Sequence, residues 1–277
     1  MNILLTGAGG VYVKHLIKRL DRKIFNKIII VDEDFKSIKK INADYKYQVP
    51  LGNKEQFLPK IKQIINKHSI KVIVSVVDEE LQNILSLKKK LILLQPNLNF
   101  TKMSLDKLKL CTKLHEKKIN KFKTYTLKNY QDEFNYPIIL KPRVGRGSRG
   151  VYTIKNKKEF KKIFKRNLDK NNIIVQKKTD GDEYTVSVVV NNKNDDYKII
   201  PKKIILKKSF TRKAITEKND YVIKKCKDVI KSFNPSGPFN VQCIANKKNV
   251  EIFEINPRLS TSSTLTSAAG INEINTL

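Results

Sequence analysis

The chain has 277 residues, 40% of them hydrophobic, which is enough for a core divided among two or three subdomains. No apolar run approaches the length of about 18 residues that a membrane span needs, so none is expected. The formal charge of +31 would ordinarily indicate a nucleic-acid partner. However, only eight of the 57 basic residues are arginine, and no basic patch is interleaved with aromatic residues, so no specific nucleic-acid binding is predicted.

Cysteine usage and the N-terminal sequence bear on the compartment. Cys111, Cys226 and Cys243 show no C-x-x-C spacing, which is typical of buried thiols in a reducing compartment. The chain starts directly with an apolar strand and a glycine turn, whereas a signal peptide would show a basic segment and a cleavage site. We therefore predict a cytoplasmic protein, and a homodimer is among the assemblies that the sequence leaves open.

The first hundred residues alternate between short apolar strands and helical segments. The predicted elements are strands over 2–6, 28–31 and 72–77, a helix ending at residue 20, and helices near 54–67 and 78–90. Gly7, Gly9 and Gly10 follow the first strand, and Asp32 ends the second. This alternation predicts a small parallel βα domain over residues 1–100.

Residues 101–180 are predicted to form a smaller subdomain with a linker helix. Ser104 is placed to cap a helix over 105–118, with Asp106 in its first turn. The other predicted elements are strands over 124–127, 138–140, 151–154 and 173–176, a short helix after residue 130 and a helix over 157–167. The sequence Thr-Asp-Gly-Asp at 179–182 is a strong turn signal that closes this subdomain.

Residues 181–277 are predicted to form a third, strand-rich segment. Apolar residues at 184, 186, 188 and 190 share one face of a strand. The remaining predicted elements are a strand near 199–206, a helix over about 219–232 and a hairpin over 239–256.

A glycine-rich basic loop follows the strand predicted to end at residue 140. Arg143, Arg146 and Arg149 lie in this loop, and Lys141 precedes it. Glycines let backbone N–H groups turn toward a phosphate chain, while the lysine supplies a positive charge. No Gly-Lys-Ser/Thr opens a helix after the loop, so it is not a Walker A motif. We interpret it as a phosphate-binding loop, with a plain hairpin loop as the alternative.

The second candidate site lies on the predicted hairpin. Glu254 and Asn256 are two residues apart on a strand, so their side chains share a face. If the hairpin turns through residues 247–249, Gln242 lies opposite Glu254, and Asn240 lies opposite Asn256. Oxygen ligands of this kind suit Mg²⁺ bound together with nucleotide phosphates. A two-residue turn would shift the register and separate these side chains.

Together these segments resemble the ATP-grasp domains of the carbamoyl-phosphate synthase large subunit. Residues 254–270 are similar to that family's metal-binding strand and following loop, and residues 175–186 are similar to its adenine and ribose segment. Residues 106–107 look like the start of its first phosphate-binding helix. The resemblance implies an α/β (α+β) chain with an ATP-grasp fold, in which residues 1–100 form a Rossmann-like pre-ATP-grasp domain.

The resemblance also implies ATP and Mg²⁺ (or Mn²⁺) as cofactors and a role for each motif residue. Arg258 and Lys141 would be catalytic and would stabilise the transferring phosphoryl group. The implied metal ligands are Gln242, Glu254 and Asn256. The implied nucleotide-binding residues are Lys107, Lys141, Arg146, Gly147, Ser148 and Gly150 at the phosphates, Gln176, Lys177 and Lys178 at adenine, and Glu183 at the ribose.

We therefore predict an ADP-forming carboxylate–amine ligase that acts on small molecules, with amino acids preferred. The synthase pairs two ATP-grasp halves, whereas this sequence shows one, which favours a stand-alone ligase. Lys202, Arg212 and residues 260–264 are candidate substrate contacts, although Lys202 and Arg212 could equally be surface charges. The chain stops at Leu277, where single-copy relatives usually continue, which leaves open a truncated third segment or a contribution from a second subunit.

Two other functions stay open at this stage. One is a non-catalytic nucleotide-binding protein, against which the retained metal ligands argue. The other is a nicotinamide enzyme, because Gly7 and Gly9 after a strand and Asp32 after the next match part of the dinucleotide fingerprint. Tyr12 occupies the third glycine position of that fingerprint, which makes the match partial.

Overall fold

The computed structural model describes residues 1–87, 91–145, 147–191, 196–208, 211–247 and 249–274. Within these ranges the strands form three sheets, one parallel and two antiparallel. None of the helices in these ranges is both long and apolar enough to cross a membrane.

The N-terminal part of the chain forms the parallel sheet. Its elements are β1 (Asn2–Thr6), α1 (Val13–Ile17), β2 (Lys27–Asp32), α2 (Phe35–Ile38), β3 (Tyr45–Gln48), α3 (Phe57–His68), β4 (Ile70–Ser75), α4 (Leu81–Leu85) and β5 (Ile92–Leu93). The strand order is β3-β2-β1-β4-β5. The central strands read as continuous apolar runs because both of their faces are buried. The helix predicted over 78–90 is shorter, and residues 88–90 lie outside the described ranges.

The middle of the chain forms a four-stranded antiparallel sheet. Its elements are α5 (Leu98–Leu105), α6 (Lys107–Glu116), β6 (Tyr125–Thr126), β7 (Ile138–Pro142), β8 (Tyr152–Ile154), α7 (Lys157–Phe164) and β9 (Ile173–Lys177), with strand order β6-β9-β7-β8. The predicted cap at Ser104 is wrong, because that residue lies inside α5. Asp106 caps α6 instead, and its carboxylate accepts from the N–H groups of Leu108 at 3.1 Å and Lys109 at 3.2 Å.

The short helix predicted after Tyr130 is absent, and residues 131–137 form a loop. Pro137 disfavours helical backbone at the residue before it. The loop is held by ring contacts of Tyr130 with Phe134 and Phe160, whose centroids lie 5.6 Å and 5.5 Å from that of Tyr130. Side-chain packing therefore takes the place of helical hydrogen bonds here.

The C-terminal part forms the large antiparallel sheet. Its elements are β10 (Asp182–Asn191), β11 (Asp196–Lys207), β12 (Thr211–Thr216), α8 (Asp220–Phe233), β13 (Gly237–Ala245), β14 (Val250–Asn256) and α9 (Ser263–Ala268). The strand order is β12-β11-β10-β13-β14. Val186, Val188 and Val190 face the core from β10, together with Val222 and Val229 of α8. This is the alternation that the sequence predicts for the strand.

The last described residues return to the first sheet. Leu259 and Ile274 are 1% and 3% exposed, and they pack in the core formed by Ile3, Leu5 and other residues of the parallel sheet. Both residues belong to the third segment predicted from the sequence. The N-terminal sheet therefore has its core completed by residues from the end of the chain.

Candidate functional site

A cleft of about 1280 Å³ lies where the three sheets meet. It is lined by residues that follow the carboxyl ends of β1, β2 and β4, by the glycine loop after β7, and by β13 and β14. Ligands commonly bind at the carboxyl ends of parallel strands in such sheets. Among the described residues to which the resemblance assigned a catalytic, metal-binding or nucleotide-binding role, all line this cleft except Gly150, whose Cβ position is 3.0 Å from the Pro142 side chain.

The predicted register of the hairpin is present at the site: Gln242 pairs with Glu254, and Asn240 pairs with Asn256. Nearer the turn, however, Ala245 pairs with Val250, so the turn is one residue longer than assumed. A bulge between the Cys243–Ile252 and Gln242–Glu254 pairs, at Phe253, absorbs the extra residue and restores the register.

The bulge also decides which side chains reach the cleft. Ile252 and Ile255 are three residues apart, yet both lie in the core. Strict alternation would place them on opposite faces of the strand. The bulge lets Phe253 and Glu254 both line the cleft between them.

Three oxygen-bearing side chains stand together on the cleft face of the hairpin. The Gln242 amide makes no hydrogen bond to any residue in the described ranges, and the Glu254 carboxylate lies 3.8 Å from the Lys107 Nζ. The Asn256 Oδ1 accepts a long contact of 3.4 Å from Arg258. Amide and carboxylate oxygens that are this little engaged suit a hard divalent cation. The residues present therefore fit the metal that the sequence implies.

The start of α6 is joined to the glycine loop. Asp106 accepts two hydrogen bonds from Arg143, at 2.8 Å and 2.7 Å, and the Lys107 Nζ donates to the Gly145 carbonyl. Burial alone would raise the pKa of Asp106, but the hydrogen bonds from Arg143 and from the Lys109 N–H hold it below its ordinary value. Arg143 is thus engaged with Asp106, and it does not line the cleft as the sequence interpretation of three loop arginines suggested.

Lys141 lies at the end of β7 and is 6% exposed. Its Nζ donates to the Phe253 carbonyl at 3.0 Å and lies 5.1 Å from the centroid of the Phe253 ring. Burial lowers the pKa of Lys141 to about 8. A buried ammonium with two remaining donors is suited to an anionic ligand, because the anion restores the solvation that burial removed.

The loop after β7 turns through left-handed backbone. Gly147, Ser148 and Gly150 have φ values of 69°, 57° and 68°. A Cβ on Gly147 would meet nothing within 4 Å, which shows that the loop is open on this side. Gly147, Ser148 and Arg149 line the cleft, and Arg146 lies outside the described ranges.

The connection from β9 to β10 lies at the other end of the cleft. The Gln176 side-chain amide donates to Cys111 Sγ at 3.1 Å and to Thr124 Oγ1 at 3.0 Å. Lys177 lies over the Phe122 ring, 4.2 Å from its centroid. The Glu183 carboxylate accepts from Lys207 in an ion pair, so it has a partner other than a ribose hydroxyl.

Arg258 is 9% exposed and joins the hairpin to the N-terminal domain. Its Nε donates to Asp78 Oδ1 at 2.6 Å, and its Nη1 donates to the Leu259 carbonyl at 3.1 Å. Asp78 was not identified from the sequence. The signal that could have indicated it is its place three residues after β4, at the carboxyl end of a strand in the parallel sheet.

Lys202 is not the surface charge that one reading of the sequence allowed. It is fully buried, and its Nζ donates to Ser187 Oγ at 2.6 Å and Thr266 Oγ1 at 2.7 Å. It does not line the cleft. Lys202 therefore holds α9 against the large sheet, whereas Arg212 is exposed on β12.

The glycine turn after β1 is closed by Asp32. The Gly9 N–H donates to Asp32 Oδ2 at 2.7 Å, and a Cβ on Gly9 would lie 2.2 Å from Ser37 Oγ. The carboxylate that a ribose would need in a dinucleotide site is thus bound to the turn itself. This arrangement disfavours the nicotinamide alternative.

Comparison with known proteins connects both halves of the chain to described families. Residues 104–262 match the family model of an ATP-grasp domain, and residues 3–93 match that of a PylC-like N-terminal domain. Over 89 residues the chain is 37% identical to a D-alanine–D-alanine ligase from Petrotoga mobilis, which covers 31% of this chain and 29% of that enzyme. The chain thus matches less than a third of the length of this curated relative.

Solved structures show the same architecture. An N5-carboxyaminoimidazole synthetase from Staphylococcus aureus, complexed with ADP, has a TM-score of 0.76 at 18% identity, covering 95% of this chain and 71% of that one. An L-amino acid ligase from Bacillus licheniformis has a TM-score of 0.73 at 15% identity, covering 99% and 72%. At these identities the likeness shows the fold alone, and it confirms the predicted fold class.

Proposed function

Because the chain belongs to the ATP-grasp family, we propose that it is a ligase that uses ATP to join a carboxylate to an amine. A carboxylate oxygen attacks the terminal phosphorus of ATP, and ADP leaves. The amine nitrogen then attacks the acyl phosphate, phosphate leaves, and a proton passes to solvent. The observation that carries the proposal is the meeting of two buried lysines, Lys107 and Lys141, with the oxygen-bearing hairpin in one cleft.

The two lysines would bind the phosphates. Lys107 and Lys141 are 7% and 6% exposed, and each Nζ donates one hydrogen bond to a backbone carbonyl. An ammonium group has three donors, so both retain donors for phosphate oxygens. The glycine loop that carries Gly147 and Ser148 would lie over the same phosphates, since its open side faces the cleft. In this proposal Lys141 acts by position and charge, as phosphoryl transfer requires.

A divalent cation would be held by Gln242, Glu254 and Asn256. When bound, it would neutralise negative charge on the phosphates. Arg258 lies next to these oxygens and would stabilise the transferring group. Its guanidinium is oriented by Asp78, so the geometry of this end of the cleft depends on the N-terminal domain.

The connection from β9 to β10 would bind the nucleoside. Because the Gln176 amide nitrogen is already bonded to Cys111 and Thr124, adenine would be held by the backbone near Lys177 and Lys178 and by the apolar side chains around it. Glu183 would hold the ribose only by sharing its carboxylate with Lys207. The substrates would be a small carboxylate and a small amine, with amino acids preferred.

Thermal unfolding with and without Mg-ATP tests the nucleotide site without knowledge of the substrates. A ligand present at 100 times its Kd stabilises the folded state by about 2.7 kcal/mol. We expect the wild-type protein to show a saturable, Mg²⁺-dependent rise in Tm that Glu254→Ala loses. Glu116→Ala is the control, since it removes an exposed carboxylate from α6 outside the cleft and should keep the full rise.

The reaction itself is tested by product analysis. ADP and phosphate should form only when a carboxylate and an amine are both present. AMP and pyrophosphate as products would contradict the proposed acyl phosphate. A Tm rise with Mg-ATP but no ADP release with any carboxylate and amine would instead indicate a non-catalytic nucleotide-binding protein.

A further inference from the structure

The wall that the N-terminal domain contributes to the cleft is acidic. Residues 1–87 include fifteen lysines and arginines, and none of them lines the cleft. Five of the nine acidic residues in the same range do: Asp32, Glu33, Asp34, Glu79 and Glu80. In a chain with a formal charge of +31, this part of the cleft is distinguished by having acidic side chains and no lysine or arginine from residues 1–87.

Glu80 is a buried carboxyl group that reaches this cavity. It is 5% exposed, and its Oε2 accepts from the hydroxyls of Thr6 and Ser75, the latter at 2.9 Å. Its Oε1 accepts no hydrogen bond from the residues in the described ranges, although the side chain lines the cleft. The loop over it leaves no spare room, since a Cβ on Gly52 would lie 2.4 Å from Glu80 Cγ. Because Oε2 is engaged by the two hydroxyls, Oε1 is the oxygen left for a ligand in the cleft.

Burial and the neighbouring carboxylates both disfavour the ionised form of Glu80. Burial, and to a smaller extent the negative charges of Asp32 and Glu79, raise the pKa of Glu80 to about 7. Asp32 accepts from the Gly9 and Asp34 N–H groups and makes no ion pair with any side chain in the described ranges. A cation placed between these carboxylates would offset both the burial and the repulsion.

The acidic wall lies at the acyl-transfer end of the cleft. Asp78, which orients Arg258, is two residues before Glu80 in the chain. Arg258 and Glu80 both line the same cleft. The adenine end of the cleft is formed by other residues, those of the connection from β9 to β10.

The chemistry of the wall restricts what it binds. Carboxylates raise the pKa of a bound ammonium, and an amine must be neutral to attack an acyl phosphate. The wall is thus unsuited to the nucleophilic nitrogen and suited to an ammonium group that stays charged. We propose, resting on the ligase function above, that one of the two substrates carries such a second ammonium group, held by Glu80 and Asp32 with Glu33 at the rim.

Matched substrates test this proposal in two arms. For the carboxylate substrate, 2-aminobutyrate is compared with butyrate, with hydroxylamine as the amine. For the amine substrate, 1,4-diaminobutane is compared with butylamine, with each of the two carboxylates. ADP release is measured for the wild-type protein and for Glu80→Gln, Glu33→Gln and Glu55→Gln. The last is the control, because Glu55 is exposed in the same domain and does not line the cleft.

We expect the ammonium-bearing member of at least one pair to have a KM about tenfold lower than its partner. Glu80→Gln should remove that preference without changing the KM for ATP, and Glu33→Gln should weaken it. Gln can still bond to the Thr6 and Ser75 hydroxyls, so folding should be retained. Equal use of both members of each pair, or a preference that Glu80→Gln leaves intact, would overturn the proposal.

Failure of the ligase function is distinguishable from failure of the ammonium site. If no substrate pair releases ADP, binding at the ammonium site is tested by measuring Tm in Mg-ADP with and without 2,4-diaminobutyrate. A rise in Tm for the wild-type protein that is absent in Glu80→Gln would support the site although the protein is not a ligase for these substrates. No rise in the wild-type protein would overturn the ammonium site.

Discussion

Lys202 should make the stability of this protein depend on pH above neutrality. Its ammonium group is fully buried and bonded to two hydroxyls, and the negative charge of Glu273 only partly offsets the effect of burial on its pKa. Burial lowers its pKa from 10.5 to about 8. Because the unfolded chain then binds more protons than the folded one between these values, stability should rise with pH through this window.

The size of the effect follows from the two pKa values. The fall in pKa from 10.5 to about 8 corresponds to roughly 3–4 kcal/mol, since each pKa unit is worth about 1.4 kcal/mol. Most of this free energy, about 2–3 kcal/mol, is recovered between roughly pH 7 and 10. Lys202→Met removes the titrating group while Ser187 Oγ and Thr266 Oγ1 remain hydrogen-bonded to each other at 2.9 Å. The free energy of unfolding of the wild-type protein should therefore rise by about 2–3 kcal/mol relative to that of the variant across this range.

Urea unfolding of both proteins at several pH values from 7 to 10 measures this difference directly. Other groups titrate in both proteins, so their contributions cancel in the comparison. Lys213→Met removes an exposed lysine from β12 and serves as the control. Parallel stability curves for the wild-type protein and Lys202→Met would refute the reasoning, since they would show that the buried amine keeps the same affinity for protons when folded.

Four further predictions concern other parts of the fold. Asp78→Asn should lower the free energy of unfolding, measured in urea, by about 3 kcal/mol, because it leaves the buried charge of Arg258 without a carboxylate partner. Adding Arg258→Gln should restore more than half of that loss. Gly181→Ala should destabilise the protein by at least about 2 kcal/mol, measured as a fall in Tm, because φ is 145° and a backbone oxygen of β13 lies 2.4 Å from the Cβ position. Asp106→Ala should cost about 1–2 kcal/mol in urea unfolding and raise the KM for ATP, since a cap and an ion pair are lost together. Burial raises the pKa of Glu80 from 4.5 to about 7, so between these values the folded protein holds a proton that the unfolded chain releases. The free energy of unfolding should therefore fall as pH rises through this window. Urea unfolding at several pH values should show this fall for the wild-type protein and not for Glu80→Gln.

The hairpin shows how far sequence reasoning reaches. Gln242 and Glu254 were expected to face each other, and they do, but the turn beyond them is longer than assumed. The pattern Ile252-Phe253-Glu254-Ile255 contains the reason, since two core isoleucines three residues apart require a bulge in a strand. Reading that pattern as strict alternation missed the bulge while reaching the right pairing.

Contacts between segments that are distant in the chain could not be predicted from the sequence. The pair between Arg258 and Asp78 and the burial of Lys202 against α9 depend on how the sheets come together, which local patterns do not specify. Asp106 shows the opposite case, because its role as a helix cap is local, and only the competing choice of Ser104 hid it. The acidic wall was missed because its members are contributed by separate strand ends.

The bond between Arg258 and Asp78 joins residues 180 positions apart, and Leu259 and Ile274 complete the core of the first sheet. During translation the N-terminal domain therefore leaves the ribosome with that core unfilled and that carboxylate unpaired. At a synthesis rate of roughly 5–20 residues per second, about 10–40 s pass between the synthesis of Asp78 and that of Arg258. The early nascent chain is thus exposed to proteases and chaperones for longer than its position at the front of the chain would suggest.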